Sequence, residues 1–320
     1  MSVKETMNAL ESQALFELAE YDALEAEKTG YSNYSYWGST IRVFLKNKVA
    51  VLALVVVALL LVFTVIQPYL PGQRDPNLIN LSEETFRQAL NVPPNSEYWF
   101  GTNSIGQDLW ARIWAGTRTS LLIGLTVATW NAILGIVIGA IWGYVRKAER
   151  LITEIYNVLD NIPNTIIMTL LAYMLRPSLK TMIIAMCATG WLGVARFVRT
   201  QVVIIRDREY NLASRCLGTP TKRIIARNVL PYLVSVIVLR FALAIPGAIG
   251  TEVFLTYIGL GLPLTTPSLG NLINQGRQLM TVPVLRYQLI YPAVVLSLIT
   301  ISFYIMGNAF SDAADPRNHV

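Results

Sequence analysis

The chain has 320 residues, 53% of them apolar and only 14% charged, with a mean hydropathy of +0.46. Soluble domains average about 25% charged residues, so this composition excludes an ordinary water-soluble enzyme or binding module and points to a membrane protein. The net charge of +6 does not point to nucleic acid: the basic residues cluster beside apolar runs, where retention at the inner leaflet accounts for them.

The chain opens with "MSVKETMNALESQALFELAEYDALEAEK", which is acidic and has no early apolar core, so no cleavable signal peptide is expected. Leu10, Ala14, Leu15, Leu18 and Tyr21 fit one face of a short amphipathic helix able to dock on a partner. A solvated, fraying tail is the alternative. Val49 to Ile66 is an uncharged run of 18 residues, long enough to cross a hydrocarbon core of about 30 Å. Arg42, Lys46 and Lys48 precede it, which places the N-terminus in the cytoplasm. The following stretch to about residue 117, with "QPYLPG" and "NVPPN", then forms an extracytoplasmic loop.

A second span is expected over Ser120–Val145, closing at the cytoplasmic "RKAER". Gly135, Gly139 and Gly143 place three bare backbone patches on one of its faces, where another helix can approach closely. Spans three and four are expected over Ile155–Leu175 and Thr181–Val198, joined by "RPSLK". A basic insert follows, in which Arg196, Arg199, Arg206, Arg208, Arg215, Lys222, Arg223 and Arg227 face only Asp207 and Glu209; that imbalance makes it cytoplasmic. Spans five and six are expected over Leu233–Ile258 and Leu289–Phe310. The outer loop between them carries a helix-compatible "LGNLINQGRQL", which either folds back toward the bundle or acts as a passive connector. The expected fold is an all-α membrane protein with six transmembrane helices, both termini cytoplasmic, and a cytoplasmic helical loop between spans four and five.

Within the insert, residues 209–217 read as a short helix ended by Gly218, the residue that most readily takes the left-handed cap conformation. Thr219 can cap a second helix with Pro220 at its first position. Tyr210, Ala213, Ser214 and Leu217 give the first helix one apolar, partly small face. Such a face suits a groove in another protein, with the basic residues meeting an acidic rim or lipid phosphates; a loop lying on the inner leaflet is the plainer alternative.

Asp160, Arg240 and Glu252 fall inside expected spans, where an ionisable group must be paired or face water. They are candidates for a translocation path or a subunit interface, although Asp160 in "LDNIPN" can also serve backbone groups freed by Pro163. Arg240 and Glu252 are about 18 Å apart along a helix and cannot pair within it. Pro246, Gly247 and Gly250 mark either a hinge or a close helix contact. Chemistry is not expected of the chain. Its one histidine, His319, sits in the C-terminal tail, its two cysteines, Cys187 and Cys216, form no CxxC pair, and Asp160 alone would have to supply acid–base work.

The insert resembles the signature loop of binding-protein-dependent ABC importer permeases, Glu-Ala-Ala, three residues, Gly, then Leu-Pro. That register falls here on Leu212, Ala213, Ser214, Gly218, Leu230 and Pro231. The family's Glu is Leu212 in this chain, so no charged contact carries over to that position, and Glu209 is the nearest acid. "YWFGTNSIGQDLWARIWAGTRTSLLIG", "LTYIGLGLPLTTPSLGNLI" and "SDAADPR" resemble the dipeptide and oligopeptide permease group, and "EYNLASRCLGTPT" looks closest to its Gram-positive members. The resemblance implies a non-catalytic permease subunit in a bacterial cell membrane. It implies a cytoplasmic N-terminal segment over 1–40, a first transmembrane helix over 41–67, an outer loop over 68–117, a five-helix type I importer domain over 118–310 and a cytoplasmic tail over 311–320. It also implies a homologous second permease, two cytoplasmic ATPase subunits carrying ATP and Mg, an external substrate-binding lipoprotein, and coupling to the ATPases through Glu209, Tyr210, Leu212, Ala213, Ser214, Arg215, Leu217 and Gly218. The chain has no Gly-Lys dipeptide and hence no P-loop, so no cofactor is expected on it. Oligosaccharide or nickel cargo on the same architecture is the first alternative, and a secondary transporter the second.

Overall fold

The computed structural model describes residues 36–81, 88–175 and 177–314. The N-terminal amphipathic stretch, the "DPR" of the C-terminal motif and His319 lie outside the described residues. The described residues from Thr40 onward form one compact unit. Among the described residues the regular structure is helical, and the only strand-like pairings are isolated bridges in the 79–108 segment.

Helix α1 (Tyr36–Lys46) and helix α2 (Lys48–Ile66) are separated by Asn47, whose side chain accepts hydrogen bonds from the amides of Val49 and Ala50 at 3.1 and 3.2 Å and so starts the apolar helix. An irregular segment leads to α3 (Leu109–Tyr144), whose 36 residues begin at the N-cap Asp108. At 1.5 Å per residue this helix is roughly 54 Å long, well beyond a hydrocarbon core. It starts eleven residues before the expected second span: Asp108 caps it, and Leu109, Ala111, Arg112 and Ile113 of its opening turns are buried against the rest of the chain. Helix α6 (Leu179–Arg206) lies along it. A Cβ on Gly135, Gly139 or Gly143 would come within 2.5–2.8 Å of Val194, Ala195 or Val202 on α6. The glycine face therefore serves tight packing inside this chain.

The expected third span is not one helix. It is divided into α4 (Arg146–Asp160) and α5 (Asn164–Met174), with the break at residues 161–163, because Pro163 has no amide to continue the ladder. Helix α5 has 11 residues, about 16 Å, or half a hydrocarbon core. Five helical stretches among the described residues are long and apolar enough to cross a membrane: Lys48–Tyr69, Leu109–Tyr144, Leu179–Arg206, Thr221–Tyr257 and Tyr287–Ala314.

After the basic insert, α7 (Glu209–Cys216) and α8 (Thr221–Ile224) lead through a widened turn at Ile225–Val229 into α9 (Val234–Tyr257). Helix α10 (Leu269–Gln278) and helix α11 (Tyr287–Ala314) complete the bundle. The "LGNLINQGRQL" segment does form a helix, and it folds back: Leu269 joins Val57, Leu60, Leu121, Ala128, Ile245, Ile249, Ile299 and Phe303 in the central core. At the insert end a second cluster joins Ala140, Tyr144, Val198, Val202, Ile205, Ile224, Val229 and Leu233. The base of the insert is thus packed as firmly as the bundle itself.

Candidate functional site

The basic insert is a pinned helix with one free face. Gly218 has φ +77°, its amide bonds to the Arg215 carbonyl at 2.9 Å, and the Thr219 amide reaches the Ser214 carbonyl at 3.0 Å. This pair of bonds is the Schellman closure, for which a residue without Cβ is favoured. The helix stops at Cys216, with Leu217 as its C-cap residue. The second helix begins at Thr221, one residue later than expected: Pro220 occupies the N-cap position with ψ 143° and accepts from Arg223, and no side chain caps the turn.

Three polar side chains fix the inner face of α7. Asn211 is fully buried, donates to the Ile205 carbonyl at 2.9 Å and accepts from Asn228 at 3.1 Å. Arg215 turns inward, donating to the Tyr144 hydroxyl at 3.1 Å and to the Arg206 carbonyl, with Asp207 3.5 Å away. Beneath it Arg206 donates to the Gly143 carbonyl at 2.8 Å and pairs with Glu149 at 3.3 Å and Asp207 at 3.2 Å, while Arg199 pairs with Glu149 at 2.9 Å. Partial burial works against ionisation of Glu149 and Asp207, but the guanidinium bonds prevail and hold both carboxyls below their ordinary values. The insert is therefore tied to the ends of α3, α4 and α6 together. The opposite face carries Tyr210, nearly half exposed, exposed Ala213 and Leu217, which is 85% exposed; Glu209, Leu212 and Gly218 are exposed beside it. Of the residues singled out from sequence, Arg215 and half-buried Ser214 belong to the mount and the others to the free face and its borders.

At the other end of the bundle Glu252 on α9 is completely buried. Its carboxylate accepts from Ser268 at 2.7 Å, Ser120 at 3.2 Å and Thr256 at 3.3 Å, and from the Gly270 amide in the first turn of α10. Ser268 is also the N-cap of α10, and the Leu269 amide donates to Ser120 at 3.1 Å. A Cβ at Gly270 would stand 2.5 Å from the carboxylate, so this contact needs glycine. Placing a carboxylate at a helix N-terminus is electrostatically favourable, and here it joins α3, α9 and α10.

The remaining intramembrane candidates stand elsewhere. Asp160 ends α4 at the surface, 3.6 Å from Arg196, with about half of its side chain exposed, so it is not a buried charge. Arg240 is exposed and lies 4.4 Å over the Phe197 ring. Helix α9 runs unbroken through Pro246. Gly247 and Gly250 have nothing within 4 Å of a built Cβ, so close packing within this chain does not explain them.

Sequence reasoning missed Arg112. It is 1% exposed and ties the outer segments together by donating to Gln107, to the Pro76 carbonyl at 3.2 Å and to the Leu264 carbonyl at 3.2 Å. The signal was the unexplained charge four residues after Asp108 in a helix taken to start at Ser120. Ser120, Thr256 and Ser268 were missed too, since hydroxyls in apolar runs carry no mark of the carboxylate they serve.

Residues 135–320 match the family described as "Binding-protein-dependent transport system inner membrane component", and residues 35–94 match "N-terminal TM domain of oligopeptide transport permease C". The chain is 37% identical to the oligopeptide transport system permease protein AmiD of Streptococcus pneumoniae, over 95% of this chain and 97% of that one. It is 32% identical to OppC of Bacillus subtilis, an oligopeptide transport system permease, over 95% and 97%. It is 34% identical to the dipeptide transport system permease protein DppC of the same organism, over 92% and 89%. The chain belongs to the binding-protein-dependent transport system inner membrane components, the permease subunits of ABC transporters, within their oligopeptide and dipeptide group.

Proposed function

We propose that this chain forms half of the translocation path of an ATP-driven importer of oligopeptides and works by alternating access. It pairs with a homologous second permease and sits on two cytoplasmic ATPase subunits, which supply ATP and Mg; an external lipoprotein delivers the peptide. The chain's own part is mechanical. Closure of the ATPase dimer pushes on α7, and the mount of Arg215, Asn211 and Arg206 passes the displacement to α3, α4 and α6.

The topology that goes with this reading has six crossings and both termini in the cytoplasm, with the third crossing made in two pieces by α4 and α5. Two features support it. Arg42, Lys46 and Lys48, the "RKAER" turn and the basic insert fall at helix ends that alternate consistently along the chain. The break at Pro163 also resembles the discontinuous helices tolerated where backbone faces protein or a water-filled cavity. The exposed face of α9 that carries Gly247 and Gly250 is open to the second permease or to the lumen between the two.

The observation that carries the reading is the division of α7 into a bonded inner face and a free apolar face of helix-in-groove type. Ala213→Trp puts bulk on that free face without touching the mount. In the complete transporter in lipid vesicles, this variant is expected to insert normally, to lose most of its co-purifying ATPase subunits, and to take up little peptide. Full ATPase recovery with normal peptide uptake per ATP hydrolysed by Ala213→Trp would remove α7 from the coupling role.

A further inference from the structure

Helix α1 and the start of α2 present an exposed surface that neither the coupling helix nor Glu252 uses. Successive residues of a helix stand about 100° apart, and each direction around α1 has its own character. Thr40 and Phe44 are buried; Phe44 packs with Ala50, Ala309 and Ala313, and its ring lies 6.0 Å from that of Phe310. One step round the helix, Ile41 and Leu45 are 52% and 55% exposed. One step further, Arg42 and Lys46 are exposed, and their i, i+4 spacing makes them neighbours on the helix surface. After the break at Asn47, exposed Lys48 heads α2, and Leu52, Val55 and Leu59 continue from it as one exposed apolar stripe.

The order of these groups narrows what covers them. Among the described residues none of the three cations has a carboxylate partner. Helix α2 has 19 residues, about 28 Å at 1.5 Å per residue, which matches a hydrocarbon core of about 30 Å. Its first residues therefore stand at the depth of lipid headgroups, and the stripe below them at the depth of acyl chains. A phospholipid with a negative headgroup has the same order of charge and chain. A soluble acidic partner would match the cations but leave Ile41, Leu45 and the stripe in water. The basic run after α7 shows the difference. Lys222, Arg223 and Arg227 are exposed too, but no large apolar side chain from Thr221 to Val229 is, and Ile224 and Val229 are buried. Those cations have no exposed apolar border, whereas the ones on α1 and α2 do.

We propose that α1 and the head of α2 bind anionic phospholipid, with Arg42, Lys46 and Lys48 on its headgroup and Ile41, Leu45 and Leu52 against its chains. The inference goes beyond the transport reading. It needs only that α2 crosses the membrane, and its test does not involve peptide uptake.

The purified chain in mild detergent is titrated with phosphatidylglycerol or with phosphatidylcholine of the same acyl chains, and bound lipid is counted by native mass spectrometry. Phosphatidylglycerol is expected to bind ~10-fold or more tightly than phosphatidylcholine, and Arg42→Gln/Lys46→Gln to remove most of that preference, since each cation near an anionic surface contributes about fivefold in affinity. Ile41→Ser/Leu45→Ser leaves the charge intact and is expected to weaken both lipids. All four positions are exposed or lie off the buried Thr40 and Phe44 line, so melting temperatures should stay close to that of the wild type. Lys222→Gln/Arg223→Gln/Arg227→Gln removes more charge and is expected to leave the preference in place. Equal binding of the two lipids, an equal loss in the Lys222 triple variant, or undiminished binding by either α1 variant would each overturn the proposal. Inorganic phosphate that competes as well as phosphatidylglycerol would assign the cations to soluble anions instead. The same titration on the complete transporter is expected to keep the preference; its loss there would mean that another subunit covers this face, and the lipid assignment would fall.

Discussion

The two ends of the bundle hold charge in opposite ways. At the α10 end a single carboxylate, Glu252, is sealed from solvent, and three hydroxyls and an amide converge on it. At the α7 end Glu149 and Asp207 share Arg199, Arg206 and Arg215 in ion pairs of 2.9–3.5 Å, with side chains between 14% and 48% exposed. A sealed, fully bonded charge resists exchange, because removing any partner leaves a buried charge short of bonds. Exposed pairs are each worth about 0–1 kcal/mol, and water can replace them. The first arrangement suits an anchor that must not move, and the second is compatible with the force-transmitting role proposed for α7, in which bonds are remade.

The contrast breaks most visibly at Glu252. Glu252→Ala leaves four donors without an acceptor in a closed site, and the expected loss of stability is about 3–5 kcal/mol, the range for breaking buried charged networks. Glu252→Gln keeps the shape and half of the accepting capacity, so its expected loss is about 1–3 kcal/mol. Thermal unfolding of the purified chain in mild detergent checks both. If Glu252→Ala melts with the wild type, the carboxylate is not an anchor, and its candidacy for the translocation path becomes the stronger reading.

Two glycine substitutions sharpen the same division between fixed and free surfaces. Gly139→Ala drives a Cβ to 2.5 Å from the Ala195 carbonyl oxygen, which is backbone and cannot turn aside. Separating α3 from α6 is expected to lower stability by about 1–3 kcal/mol. Gly250→Ala meets nothing within 4 Å, and replacing a mid-helix glycine is expected to raise helix stability by roughly 0.5–1 kcal/mol. If α9 bends at Pro246, Gly247 and Gly250 during transport, Gly250→Ala lowers peptide uptake while the chain becomes more stable. Normal uptake by that variant removes the hinge.

The long apolar runs were legible because each spans 18 or more residues, and the glycine repeat of α3 named its own packing face. The helix at 209–216 and its Gly218 stop were legible for the same reason: cap chemistry is local. The break at Pro163 was legible from the missing amide, but the third span still reads as one stretch over Ile155–Leu175, since apolar residues on both sides hide the division in a hydropathy pattern. The inward turn of Arg215 was not legible, because its partners Tyr144 and Asp207 come from separate segments and only the folded bundle brings them together. Glu252 could be found as a charge, but its hydroxyl partners lie 132 residues upstream and 4 and 16 residues downstream.

The smallest expected effect on stability falls at Arg215, and there the mount and the free face can be told apart. Arg215→Gln removes a partly exposed partner of Asp207 and the bonds to Tyr144 and the Arg206 carbonyl, and the expected loss is under about 1 kcal/mol. On the coupling role proposed for α7, ATPase subunits should still co-purify, since Tyr210, Ala213 and Leu217 remain on the free face, while peptide uptake per ATP hydrolysed falls. The pH dependence identifies the partner. Asp207 and Glu149 are held below their ordinary values in the folded chain, so the stability they add is fully present above the ordinary carboxylate pKa of about 4 and is lost as pH falls through the depressed values. Wild type and Arg215→Gln should therefore differ in melting temperature at neutral pH and converge on acidification below about 4, because protonating Asp207 removes the charge that Arg215 serves. A difference that stays constant down the same pH range would mean that Arg215 acts through Tyr144 and the Arg206 carbonyl alone, and the ionic part of the mount would then rest on Arg199 and Arg206.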